Sequence, residues 1–493
     1  MKYKKIILYV PLILIFSFFL YAERLDIDQQ KAFNSIKPQD VYDYCKMLSS
    51  VPFAGRFTGD EGFTASAKWV ANKFKEWGLK PINKKEGYLQ AYPCPYTIID
   101  KADMALLLKE PKEKKSDNQK EISFKETTLE VEKDFLPFLF SDSGSNTAEL
   151  LCVGWGISAP ELGYDDYAGL DVKGKFILCF QGTPDPKDER YRKHDSRSRV
   201  SLAKEKGAVG FFYVYAAEPI GHPSGDWIKD FSPIIISEKV ADMILKEKRI
   251  TSSEYKKDLQ TYKRPISFPL DSKIRYRVES RHFPNGVGYN VVGYVEGSDS
   301  RLKRECLVMG GHFDACGKHM GLLFPGANDN ASGSAVVMEI AEAFSKLKEK
   351  PKRSAVFILF SGEEMGLLGS KFFVNHVPSQ FEKVDTMFNF DMVGEGDGVK
   401  CTHSSKPEEL KKVLEGSDKS VKILRETSIM ESGRGGSDHA PFRDKGVPCL
   451  YFVSNGPHLN YHRTNDMIFR INPDIMADIA RLAFLSGFIW ANR

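Results

Sequence analysis

From residue 285 to the end of the chain, apolar strand-like runs alternate with amphipathic helical ones. No other feature restricts the fold as much. GYNVVGYVEG, ECLVMGG, SAVFILF, TMFNFDMVG and VPCLYFV read as strands. Between the second and third lies ASGSAVVMEIAEAFSKL, which places Val337, Ile340, Phe344 and Leu347 on one helical face. MGLLGSKFFVNH reads as another helix. INPDIMADIARLAFLSGFIW reads as a terminal helix, with Asn472 as N-cap and Pro473 at its first position. This repetition predicts an α/β sandwich, a mixed, largely parallel central sheet flanked by helices. In such sheets the loops that leave the carboxyl ends of the strands build the sites.

A chain of 493 residues exceeds what one core usually supports, so more than one domain is expected. The N-terminus, MKYKK followed by IILYVPLILIFSFFLYA, has the order of a secretory signal covering residues 1–22, with an uncleaved anchor as the alternative. Either places the body of the protein outside the cytoplasm, in a secreted, periplasmic or cell-envelope setting. Residues 23–135 read as the N-terminal part of the main domain. TASAKWVANKFKEWGLKP forms a helix there that stops at Gly78, and the charged run from about 108 to 134 reads as a solvated loop. Residues 136–270 change to short strands and Gly/Pro turns, and 271–493 carry the strand–helix alternation.

The formal net charge of +4 gives no case for nucleic-acid binding. Of the eight cysteines, Cys179, Cys306 and Cys449 lie in apolar strand runs and read as buried residues, and no CxxC occurs. One or two disulfides are compatible with this, without a pairing. GWGISA fits a loose dinucleotide loop, but Pro160 follows and no helix opens there. A serine hydrolase elbow, GxSxG, and the zincin motif HExxH are both absent.

Acids and histidines gather at the strand ends. ECLVMGG runs into His312-Phe313-Asp314, and the loop beyond holds Asp329 in PGANDNASG. SAVFILF runs into Glu363-Glu364, TMFNF into Asp391, and a loop with His462 follows VPCLYFV. Each alone has a bland reading: Asp329 as a helix cap, His462 as a surface histidine. Five acids on one rim, however, would be strongly destabilising unless cations sat between them. Two histidines among the donors favour zinc over calcium or magnesium. On an extended segment Asp314 lies on the same side as His312 and can hydrogen-bond its far nitrogen. Glu363 and Glu364 point different ways, so one can ligate while the other serves as general base.

GGHFDACG, GANDNASG, FSGEEMGLLGS, NFDMVG, SDHAPF and YHRTND, in this order, resemble the co-catalytic zinc aminopeptidases. YDDYAGLDVKGK and KEKGAVGFFYV resemble the β-rich protease-associated domain inserted in several peptidase families. The first resemblance also takes in AGRFTG and covers nearly the whole mature chain. It implies a zinc-exopeptidase fold and two zinc ions bridged by Asp329. One ion would also bind His312 and Asp391, the other Glu364 and His462. Glu363 would be the base, Asp314 the partner of His312, and Tyr461 a helper at the oxyanion. It further implies hydrolysis of peptides with a free N-terminus, by a water shared between ions about 3.5–4 Å apart. Glutaminyl cyclases and carboxypeptidases of the same fold are the rival readings, with Arg434 the candidate for holding a substrate carboxylate. A non-enzymatic adhesion protein is the rival of another class.

Overall fold

The computed structural model describes residues 25–82, 85, 87–109, 123–215, 220–221, 223–430 and 436–493. The segment read as a signal and Arg434 lie outside them. A nine-stranded sheet forms the centre of the main unit. Its inner strands, in spatial order Ser354–Phe360, Glu305–His312, Lys383–Phe390 and Cys449–Ser454, run parallel. Val287–Val295 lies antiparallel on one side of them and Val399–His403 on the other. All four inner strands were legible as apolar runs because residues buried on both faces need no alternation.

Alternate side chains of these strands divide between two cores. Leu307, Met309, Ala355, Phe357, Leu359, Phe388 and Leu450 face the helices Pro38–Leu48, Glu61–Glu76, Gly333–Lys346 and Pro473–Ala491. Cys306, Val308, Val356, Ile358, Phe360 and Met387 face Leu368–Asn375 and His439–Asp444. Each fully buried large side chain contributes about 1.5–3 kcal/mol, so the sheet is a rigid support for whatever its loops carry. The helix ends follow their sequence signals. Asn472 accepts from the amide of Asp474, Asp60 caps Phe63, and Gly78 adopts φ +75 just past the helix Glu61–Glu76.

An eight-stranded second sheet occupies the stretch between Tyr96 and Phe283. It springs from the paired strands Leu89–Pro93 and Val287–Val295, where the amide of Cys94 donates to Gly286. Its reach is wider than residues 136–270, because the long strands Tyr96–Lys109 and Ser267–Phe283 pair with each other inside it. The charged run is not loop throughout: Phe124–Leu129 is an edge strand against Tyr96–Lys109. Its lysine and glutamate face water, as edge strands commonly do, and that composition imitates a loop. After Trp155 no α-helix opens at the GWGISA segment; a short strand pair and a single turn Pro160–Leu162 follow. All eight cysteines are buried free thiols. Among the described residues no helix is long and apolar enough to cross a membrane.

Candidate metal centre

The carboxyl ends of the four parallel strands deliver the predicted acids and histidines to one place. His312 is the last residue of its strand, and Asp391 directly follows Phe390. After Phe360 the chain turns through Gly362, at φ +63, a conformation open to glycine at little cost, and presents Glu363 and Glu364. Asp329 comes from the turn Ala327–Ser332 that leads into the helix Gly333–Lys346; the Asp329–Asn330 peptide is cis.

Asp329 stands at the middle. Its Oδ1 lies 3.3 Å from His312 Nε2 and its Oδ2 lies 3.3 Å from His462 Nε2. On the first side, Asp391 Oδ1 is 3.5 Å from His312 Nε2 and Glu363 Oε2 is 4.0 Å from it. On the second, Glu364 Oε2 is 2.7 Å from His462 Nε2. The adjacent glutamates thus address different histidines. Asp314 Oδ1 is 3.6 Å from His312 Nδ1, but the nearer partner is the Asp314 carbonyl oxygen at 3.2 Å. The carboxylate instead receives the amide of Glu363 at 3.4 Å. Tyr461 is partly exposed and its ring stacks on His462, with centroids 3.7 Å apart.

The sequence reading missed the supports of this cluster. Arg56, fully buried within AGRFTG, donates to the carbonyls of Leu48, Phe313, Pro325 and Gly326, tying the His312 and Asp329 loops together. Asp466 accepts from the amides of Asn328 and Asp329. Thr58 accepts from Gly362 ahead of the two glutamates. From the second sheet's side, Gly221 brackets His462: its amide donates to the histidine carbonyl, and its own carbonyl lies 2.9 Å from Nδ1. Asp438, from SDHAPF, is buried beneath the site, and burial pushes its carboxyl up to about 7. Arg56, Asp438 and Asp466 all sit inside motifs whose order was informative, but single residues there carried no sign of their role.

The electrostatics show what the cluster can hold. Burial, reinforced by Glu364, Asp438 and Asp391, pushes the Glu363 carboxyl well above its usual range despite the pull of His312. Burial also raises Glu364, against the pull of His462. Burial opposes charging His312, but Glu363 and Asp391 outweigh it and raise the imidazole pKa well above normal. Burial opposes ionising Asp329, but the two imidazoles beside it outweigh that and hold its carboxyl low. Asp329 Oδ2, Glu364 Oε1, Asp391 Oδ1 and His462 Nε2 are buried polar atoms with no hydrogen-bond partner. Buried polar atoms are ordinarily paired, so four of them converging on one rim is the signature of a cation site. Two donor groups have their ligand atoms within 4.8 Å of one another: His312, Asp329 and Asp391, and Cys316, Glu364 and His462. Imidazole and carboxylate donors in this mixture fit zinc.

Comparison with known proteins agrees. Residues 290–486 match the family described as Peptidase family M28. Leupeptin-inactivating enzyme 1 of Streptomyces exfoliatus is 34% identical over 164 residues, covering 33% of this chain and 34% of that protein. Aminopeptidase YwaD of Bacillus subtilis is 30% identical over 209 residues, covering 39% and 42%. The aligned part therefore spans less than half the length of these curated relatives. Among solved structures, an aminopeptidase from Aneurinibacillus sp. strain AM-1 superposes with a TM-score of 0.66 at 20% identity, covering 93% of this chain and 95% of that one. A zinc aminopeptidase from Bacillus subtilis gives 0.60 at 19%, covering 92% and 95%. These two establish the fold over nearly the whole chain, and the matched family and relatives bear out the resemblance to aminopeptidases read from the motifs.

Proposed function

We propose that this chain, whose residues 290–486 carry the M28 pattern, is an extracytoplasmic zinc-dependent aminopeptidase that removes N-terminal residues from peptides. The observation that carries the reading is the position of Asp329, with one carboxylate oxygen 3.3 Å from each of two histidines. That position suits a bridge between two zinc ions, one shared with His312 and Asp391 and the other with Glu364 and His462. When bound, the ions would polarise the scissile carbonyl and make an attacking water more acidic.

The chain's own groups supply the rest. Glu363, the carboxylate of the first side that is not assigned as a ligand, accepts the proton of the attacking water and delivers it to the departing amine. Its raised proton affinity suits both halves of that task. Asp314 positions His312 through the carbonyl at Nδ1 and positions Glu363 by receiving its amide. Tyr461 stands beside His462, where its hydroxyl can donate to the oxygen that gains charge. An unblocked substrate amine would rest against the remaining carboxylates. The second sheet is proposed to be the protease-associated insertion; Cys316 and Met365, next to the site, pack into its core.

The test is metal content of the purified protein together with release of leucine from leucyl-p-nitroanilide. Two zinc ions per chain, activity lost on chelation and restored by zinc, and an inactive Glu363→Gln chain are the expected results. A Glu363→Gln chain with full activity would remove the base assignment.

A further inference from the structure

We propose that Cys316 is a thiolate ligand of the ion held by Glu364 and His462, so that the two metal positions differ in the softness of their donors. The inference rests on the two-metal reading above. Cys316 follows two residues after Asp314 in HFDAC and is 2% exposed. Its sulfur lies with the Glu364 and His462 donor atoms in a group whose members are within 4.8 Å of one another. The same three residues, with Asp329, line one cavity of about 10 Å³. Two of the partners bring independent evidence of a ligand there: His462 Nε2 and Glu364 Oε1 are buried and have no hydrogen-bond partner. The backbone also leaves room for the sulfur. Gly221 packs over it, and a Cβ at that position would come within 3.0 Å of Sγ.

When the ion enters, the S–H bond breaks, its proton leaves to solvent, and the freed sulfur pair forms the bond to the metal. No oxidant or reductant takes part. The first position then has one imidazole and two carboxylates, whereas the second adds a soft thiolate. Soft donors select zinc over manganese or magnesium. With manganese in excess, the first ion should therefore exchange and the second should stay zinc.

The experiment loads the full chain with cobalt(II), counts cobalt by elemental analysis and records the near-ultraviolet spectrum. Two cobalt ions with a sulfur-to-cobalt charge-transfer band, lost in Cys316→Ala and in the near-isosteric Cys316→Ser, is the expected result. Two cobalt ions without that band, or a band that persists in both variants, overturns the thiolate ligand and leaves the two-metal reading standing. A chain that binds no cobalt overturns both.

Discussion

Asp166 and Asp329 are both buried aspartates, one in the turn after Tyr164–Asp165, beside the second sheet's strand Ser267–Phe283, and one on the rim of the main sheet. They are completed in opposite ways. Asp166 receives the amide of Ile157 at 3.0 Å on one oxygen and the hydroxyl of Tyr164 at 2.8 Å on the other. Neutral donors satisfy it, and burial pushes it up to about 7. Asp329 faces two imidazoles, has an oxygen with no hydrogen-bond partner, and is surrounded by further acids. A buried acid with neutral partners is part of the scaffold. Buried acids that only cations can satisfy together form a site.

The sharpest way to break this contrast is to neutralise the shared carboxylate. Asp329→Asn should lower turnover by on the order of 10³-fold, since removing one partner from a buried charge cluster costs about 3–5 kcal/mol. Zinc stoichiometry should fall at both positions. Loss at one position alone would show that Asp329 is not a bridge.

Next in size is the effect of chelation on stability. Each bound ion stabilises the folded chain by about 4 kcal/mol when its concentration is a thousand times its dissociation constant. Stripping both should lower the melting temperature by on the order of 10 °C in differential scanning calorimetry. An unchanged melting temperature would mean that the rim tolerates its acids without ions, as Asp166 does.

A smaller effect should separate the two halves of the rim. The His312 side leans on Arg56 and the main sheet, whereas His462 leans on Gly221 from the second sheet's side. Gly221→Ala would place a methyl 3.0 Å from Cys316 Sγ and 3.4 Å from the His462 carbonyl. Affinity for the second ion should drop about 10–100-fold, the usual range for disturbing a ligand's outer support, with the first ion unaffected. Stepwise zinc competition reads this directly, and equal weakening of both would deny the division.

The sequence made the clustered acids and histidines legible and left their supports hidden, for a physical reason. His312, Asp329, Glu363, Glu364, Asp391 and His462 sit where apolar runs end, and a charge in that place is hard to explain otherwise. Arg56 acts through four backbone carbonyls, and Gly221 through its own backbone and the space it leaves. Neither contact shows in residue type or spacing. The parallel strands were legible because both faces are apolar. The arms Tyr96–Lys109 and Ser267–Phe283 were not, since their register pairs residues as far apart in sequence as Lys101 and Glu279.

The smallest expected effect tests the other side of the contrast. The folded-state pKa of Asp166 is raised to about 7 from an ordinary 3.8. Between those values the folded chain holds a proton that the unfolded chain has lost. By linkage, its contribution to stability is fully present below about pH 4 and is lost as pH rises through about 7. Asp166→Asn keeps an acceptor for Ile157 but does not titrate. The variant should therefore gain on the wild type by on the order of 1–3 kcal/mol between pH 4 and pH 8. Denaturant midpoints of both proteins, with zinc held in excess, isolate that difference from the rim. A constant difference across the range would mean that Asp166 is ionised throughout. It would then need a cationic partner of its own, and the distinction between the two aspartates would fall.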